Sequence, residues 1–164
     1  MVLNHESMLI EDGSTVSIKS LWGFGGSIDV NDSNVTLTGP ALTSDTINLV
    51  DGSHLTVGAG DSLTFLAPVT LDGSSTVEFL GASLAERAQG VTYDASTGQF
   101  DIFSAKGRLL ADLNVHVPAG YTPLAVEAGG GPPSAYSGLY IAAHFIGGVT
   151  PSGALSGFTG VTHT

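Results

Sequence analysis

Asp12, Asp32, Asp51 and Asp72 each sit in a short acidic turn: Asp12-Gly13-Ser14, Asn31-Asp32-Ser33, Asp51-Gly52-Ser53 and Asp72-Gly73-Ser74. Counted on Asp12, Asn31, Asp51 and Asp72, the turns recur at steps of 19, 20 and 21 residues. If each turn stacks on the one before, the four carboxylates form a column at strand spacing, about 4.8 Å. Like charges in such a column repel unless they are screened or a cation such as calcium bridges them. Asp-Gly also favours tight turns by itself. The cation column and plain turn chemistry therefore both stand as readings.

A second group is aromatic. Trp22 and Phe24 flank Gly23 in what reads as one loop, and together they could stack on a sugar ring or serve as an exposed contact or cap. The residues that catalysis needs are otherwise thinly spread. Gly81-Ala82-Ser83-Leu84-Ala85 is the nearest approach to a nucleophile elbow and lacks its second glycine. His5, His54, His116, His144 and His163 include no pair at the i, i+4 spacing of metal ligands on a helix. Gly23-Phe24-Gly25-Gly26 is not a dinucleotide fingerprint, and no phosphate-binding loop motif occurs. No acid pair of the kind that cleaves glycans stands out. The chain reads as a non-enzyme, with no cofactor beyond calcium at the acidic turns.

The elements that must carry these residues are strands. Each turn precedes a short alternating run: Val16-Ser17-Ile18, Val35-Thr36-Leu37, Leu55-Thr56-Val57 and Val77-Glu78-Phe79. Further runs such as Ser27-Ile28-Asp29-Val30, Thr46-Ile47-Asn48-Leu49-Val50, Leu63-Thr64-Phe65-Leu66 and Val69-Thr70-Leu71 fill the repeats. Alternation of apolar and polar residues puts one face of each strand inward. Two or three strands in about 20 residues is the pattern of one rung of a stacked β-solenoid. Residues 1–80 thus predict a solenoid of about four rungs, a stub about 20 Å tall at strand spacing.

Residues 81–145 read differently. Gly81–Gln89 is the one helix-like piece, a linker or cap. After it, Val91-Thr92-Tyr93, Gln99–Phe103, Arg108–Val115, Leu124–Glu127 and Leu139–Phe145 predict an antiparallel meander, sandwich-like in its packing on the solenoid's end. Residues 146–164 read as a flexible tail rich in Gly, Ser and Thr, or as a segment that adds as a strand to another subunit. The expected fold class is therefore all-β.

Composition narrows the partners. The net charge is −11, and Lys19, Arg87, Lys106 and Arg108 are the only basic residues. No basic patch exists to meet nucleic acid or an anionic membrane. There is no cysteine, so neither a disulfide frame nor thiolate chemistry. No apolar run reaches the length of a membrane span. Met1-Val2-Leu3-Asn4-His5-Glu6-Ser7 lacks the basic start and apolar stretch of a signal peptide. An exported chain would go out without such a leader or after losing it.

The turn repeats, with strands such as Val35-Thr36-Leu37-Thr38 and Ile47-Asn48-Leu49-Val50, resemble the β-helical repeats of bacterial adhesins and autotransporter passengers. Gly90–Gly98 followed by Phe100-Asp101-Ile102 is similar to a module of large repetitive secreted bacterial proteins. The resemblance covers roughly residues 9–127 and implies secretion or display on a bacterial cell surface, with an adhesive or matrix-building role. Gly58-Ala59-Gly60-Asp61-Ser62-Leu63 resembles, one residue short and in a single copy, the calcium-binding nonapeptide of type I-secreted toxins, which implies Asp61 as a calcium ligand. The expected function is a self-assembling filament, surface or biofilm-matrix subunit whose partner is itself. The alternative is a carbohydrate-binding or adhesin module, tail-fibre-like, whose partner is a polysaccharide.

Overall fold

The computed structural model describes residues 2–38, 41–43, 45–58, 68–80, 88–104, 106–128, 138–148 and 154–157. Seventeen strands account for its regular structure, and no helix occurs among these residues. In chain order they are β1 (Val2–Asn4), β2 (Ser7–Ile10), β3 (Thr15–Ile18), β4 (Leu21–Phe24), β5 (Ser27–Asn31) and β6 (Asn34–Leu37). Then come β7 (Ala41–Thr43), β8 (Thr46–Val50), β9 (His54–Val57), β10 (Pro68–Leu71) and β11 (Thr76–Leu80). The rest are β12 (Ala88–Asp94), β13 (Gln99–Ser104), β14 (Leu109–His116), β15 (Tyr121–Ala128), β16 (Gly138–Phe145) and β17 (Ser156–Gly157).

Alternation of side chains does what the sequence predicts. In β5, β8 and β10, Ile28, Val30, Ile47, Leu49, Val69 and Leu71 are buried while their neighbours face out. In β6, β9 and β11 the buried set is Val35, Leu37, Leu55, Val57, Val77 and Phe79. These strands form parallel ladders: β2–β5–β8–β10 in one sheet and β3–β6–β9–β11 in another. A third, three-stranded sheet is β1–β4–β7, also parallel.

The corners explain why the chain turns where it does. Asp12 and Gly13 both take positive φ, as do Asp51 and Gly52, a conformation that Asp, Asn and Gly reach at least cost. The second corner is a residue shorter and uses Asp32 alone, at φ 46°. The fourth corner is built differently, and neither Asp72 nor Gly73 takes positive φ. There the Asp72 carboxylate accepts from the Ser74 and Ser75 N–H groups at 2.9 and 2.8 Å, an Asx turn.

A buried serine column ties the corners together. Ser14 N–H donates to Ser33 Oγ, Ser33 N–H to Ser53 Oγ, and Ser53 N–H to Ser75 Oγ, at separations of 19, 20 and 22 residues. The fourth member is Ser75, not Ser74, because β10 already sits 22 residues from its partners in β8, as Leu71 on Leu49, so that Ser75 falls on Ser53 and Asp72 comes one position earlier in its corner than Asp51. This amends the even spacing counted on the acidic residues.

The second half caps one end of the ladders. β12, β13 and β14 run antiparallel, and β14 lies parallel against β10. β15 and β16 are an antiparallel pair, and β16 lies antiparallel against β11. The result is a mixed eight-stranded sheet and a mixed six-stranded sheet. One apolar cluster runs through both halves, from Ile10 and Ile18 to Phe100, Ile102, Leu139 and Ile141.

Three expectations are changed. Trp22 and Phe24 lie in a strand, β4, paired on both sides, and not in a loop. Ala88 and Gln89 open strand β12, while the rest of the helix-like stretch, 81–87, is outside the described residues. Of the tail, Ala154–Gly157 is attached to its own chain. β17 pairs parallel with β12, Ala154 bridges Val126, and Leu155 N–H donates to Ala125 O at 2.9 Å.

Candidate functional site

The two ends of the parallel ladders differ. At the C-terminal end, β10 and β11 are covered by β14 and β16. At the other end β1, β2 and β3 are the outermost strands of all three sheets, and no described strand pairs with their outer edges. Burial follows this asymmetry. Ile10 and Ile18 in the first layer keep 6% and 7% exposure, against 1% for Val30 and Leu37 one layer in. Met8 and Val16 are only half-buried, and Leu9 beside them is 60% exposed.

The edge itself presents main-chain groups. Ser14 and Ile18 accept from Asn34 and Thr38 N–H at 2.8 and 2.9 Å, so their backbones face β6. Strand alternation then turns the N–H and C=O of Thr15 and Ser17 outward. Natural edges are blunted by proline, lysine or bulges. β1, β2 and β3 contain neither proline nor lysine, and Lys19 stands just past β3.

The aromatic pair lies on the adjoining three-stranded sheet. In β4, Leu21 and Gly23 are buried while Trp22 (40% exposed) and Phe24 (52%) point out. Val2, 67% exposed, is in register with Trp22 across the β1–β4 ladder. The two rings lie two residues apart on one face, about 7 Å along the strand, an exposed platform that a flat apolar surface could cover. Gly26, between β4 and β5, is required sterically. A Cβ there would sit 1.9 Å from the Glu6 carbonyl oxygen. Its N–H donates to the buried Asp45 carboxylate at 2.7 Å.

The acidic turns are brought together in part. Asp51 N–H donates to Asp72 Oδ2 at 2.7 Å, linking those two corners. The Asp72 carboxyl is pushed up by burial. The hydrogen bonds it accepts from Ser74, Ser75 and Asp51 outweigh this and lower it from the ordinary 3.8 to about 2. Its oxygens thus already have protein donors. Asp12 and Asp32 are exposed at the other corners, and Asp61 lies outside the described residues. Among the described residues no three of His, Cys, Asp and Glu gather into a group that could hold a metal ion.

One constellation escaped the sequence reading. On the outer face of the six-stranded sheet, His54 is held between two side chains of β11. Nδ1 meets Thr76 Oγ1, and Nε2 meets Glu78 Oε2 at 3.2 Å. Hydroxyl, imidazole and carboxylate in a chain can relay a proton. Here they lie flush on a sheet face beside Asn34, Thr56 and Tyr140 in register, and act as cross-strand partners. Aligning the strands that follow the turns, Leu55-Thr56-Val57 on Val77-Glu78-Phe79, would have found them, because it sets His54 against Thr76 and Thr56 against Glu78; the 21-residue step between Asp51 and Asp72 does not.

Fold and surface together define an all-β protein. No family model matches the chain, and no curated protein matches it. No helix among the described residues is long and apolar enough to cross a membrane.

Proposed function

We propose that this chain is a non-enzymatic structural protein, a short β-solenoid of about four rungs that self-assembles outside the cell. Its product would be a filament, a surface layer or a biofilm-type matrix. The solenoid reading is supported by the parallel ladders at a repeat near 20 residues and by the serine column that joins successive corners. The observation that carries the function is the set of outer edges on β1, β2 and β3, with which no described strand pairs, beside a thinly covered apolar layer. Unpaired edges of this kind are templates for further strands. Leu109, Phe145 and Ile146, exposed on the opposite half, supply apolar surface for a second contact.

The second reading is a carbohydrate-binding or adhesin module, and the exposed Trp22–Phe24 platform favours it. One experiment separates the two: negative-stain electron microscopy of the protein across concentration, with and without calcium, beside a chain shortened after Gly147. Ordered assemblies of the full chain are expected. Monomers in every condition overturn the structural reading. If those monomers bind a polysaccharide and lose it on Trp22→Ala, the second reading takes its place.

A further inference from the structure

The outward face of the six-stranded sheet carries a reactive group that self-assembly does not use. Of the five asparagines, two begin an Asn-x-Ser/Thr tripeptide without proline in the middle: Asn31-Asp32-Ser33 and Asn34-Val35-Thr36. That tripeptide is the acceptor for N-linked glycosylation, in which the hydroxyl residue is recognised and the amide reacts. We infer that Asn34 is a glycan attachment site, which takes an oligosaccharide from a lipid pyrophosphate carrier. Asn34 meets that substrate only on an exported chain, so this step rests on the extracellular reading above.

Strand alternation decides between the two asparagines. Asn34 is the first residue of β6, directly after the Asp32 corner, and is exposed; Val35 is buried, Thr36 half-buried and Leu37 buried. Asn34 and Thr36 therefore leave the sheet on the same outward side, with Thr15 and His54 flanking Asn34 in register. Among the described residues no hydrogen bond occupies the Asn34 amide or the Thr36 hydroxyl. By contrast Asn31 is half-buried, and Ser33 is 2% exposed with its Oγ accepting from Ser14 N–H in the serine column. The exposed Asp32 carboxylate, two residues before Asn34, gives a transferase one more group to hold.

The backbone fixes when the transfer takes place. Asn34 N–H donates to Ser14 O at 2.8 Å, and β6 is paired on both sides, with β3 and β9. A main chain so held does not bend into a transferase groove, so the reaction precedes the closing of this ladder. In it Asn34 Nδ2 attacks the anomeric carbon of the carried sugar. The C–N bond forms, the anomeric C–O bond breaks, and the lipid pyrophosphate leaves with the electron pair. The amide nitrogen gives up one proton to a base of the transferase. The chain then folds with the glycan attached, and the outward position of Asn34 leaves the glycan in solvent, where it keeps this face of the sheet hydrated.

The test is to export the full chain, behind a fused leader, into the periplasm of bacteria that hold an oligosaccharyltransferase and a defined lipid-linked oligosaccharide. Intact mass and peptide mapping of the soluble protein give the readout. Protein heavier by one oligosaccharide at Asn34 is expected, with the circular dichroism of the bare protein. Thr36→Val keeps the β-branched shape and removes the hydroxyl, and should abolish the added mass. Thr36→Ser keeps the hydroxyl and should retain it.

No added mass, an added mass at Asn31 alone, or one at Asn34 that survives Thr36→Val overturns the proposal. A glycan found only on insoluble chains also overturns it, because the native position of Asn34 then fails to accommodate the sugar. The leader and the transferase are supplied in this experiment, so each of these outcomes leaves the self-assembly reading standing. Monomers under the electron microscope overturn that reading and leave the glycan site as it is.

Discussion

The parallel half and the antiparallel half of this molecule share one core but are built by different rules. In the parallel half the strands are three to five residues long, and like sits on like: Ile28 on Ile47, Val30 on Leu49, Ser33 on Ser53. In the antiparallel half the main strands run six to eight residues. There the contacts are between unlike residues, with the Tyr93 and Phe100 rings packed edge to face at 6.3 Å and Tyr121 on Phe145 at 5.7 Å. β13 is buried on both faces from Phe100 to Phe103, so it has lost the alternation that marks the ladders. The lesson is that a repeat can grow but cannot stop itself. The residues that end it must break the pattern, and β14 and β16 do so where they pair with β10 and β11.

The sharpest break of this comparison is a core truncation in each half. Phe100 and Leu49 are both fully buried, at 0% exposure. Phe100→Ala should cost about 3–5 kcal/mol and Leu49→Ala about 2–5 kcal/mol. Because one apolar cluster includes both, each variant should shift a single unfolding transition, followed by circular dichroism in urea. Two transitions, with Leu49→Ala moving one and Phe100→Ala the other, would show that the halves fold separately.

The serine column sharpens the contrast between the inner and outer corners. Ser53 is 0% exposed, and its Oγ accepts from Ser33 N–H while lying 2.6 Å from Val50 O and 2.9 Å from Val30 O, either of which can take its one hydrogen. Ser53→Ala leaves a buried N–H without its acceptor and should cost about 1–3 kcal/mol. Ser14, half-buried in the first corner, donates its hydroxyl to Glu11 O, and no corner before it among the described residues donates to it. Ser14→Ala should cost less than about 1 kcal/mol. Equal losses in urea unfolding would mean that the column carries no more than its individual turns.

What could be read in the sequence follows from whether a feature is local. Asp12-Gly13 and Asp51-Gly52 announce corners because left-handed φ is a property of those residues alone. The inward sets of β5, β6, β8 and β9 are legible because alternation is local too. Trp22-Gly23-Phe24-Gly25-Gly26 reads as a loop by its glycines, yet Gly23 faces the interior of a strand and Gly26 makes room for the Glu6 backbone. Both facts depend on residues distant in sequence. The serine column and the His54–Glu78 contact depend on register between strands, which shifts from 19 residues between β5 and β8 to 22 between β8 and β10. Alternation in β3 is likewise legible, whereas Met8-Leu9-Ile10 of β2 is apolar throughout and only the fold shows Leu9 facing out; the absence of a described partner for the outer edges of β2 and β3 appears only when the sheets are assembled.

The smallest effect compares one device used in both halves. Asp72 and Asp94 each accept from the residue two positions on, Ser74 and Ser96, through side chain and backbone. Asp94 is lowered chiefly by the Ser96 hydroxyl and then by its N–H, wholly within one exposed turn. Asp72 also holds Asp51 N–H of the preceding corner, so its charge supports the stack as well as its own turn. Its folded value of about 2 lies below the ordinary 3.8. Its contribution is therefore complete above about pH 4 and is lost as pH falls through about 2. Discounted for solvent screening, that contribution is about 1 kcal/mol. Asp72→Asn should lower stability at neutral pH by that amount and flatten the acid limb of the stability curve between pH 4 and 2, measured by urea unfolding at stepped pH. Asp94→Asn should leave that limb closer to the parent curve, since no second corner leans on its charge. If Asp94→Asn flattens the limb as much as Asp72→Asn, the link from Asp72 to Asp51 contributes nothing to the stack, and both turns are local features alike.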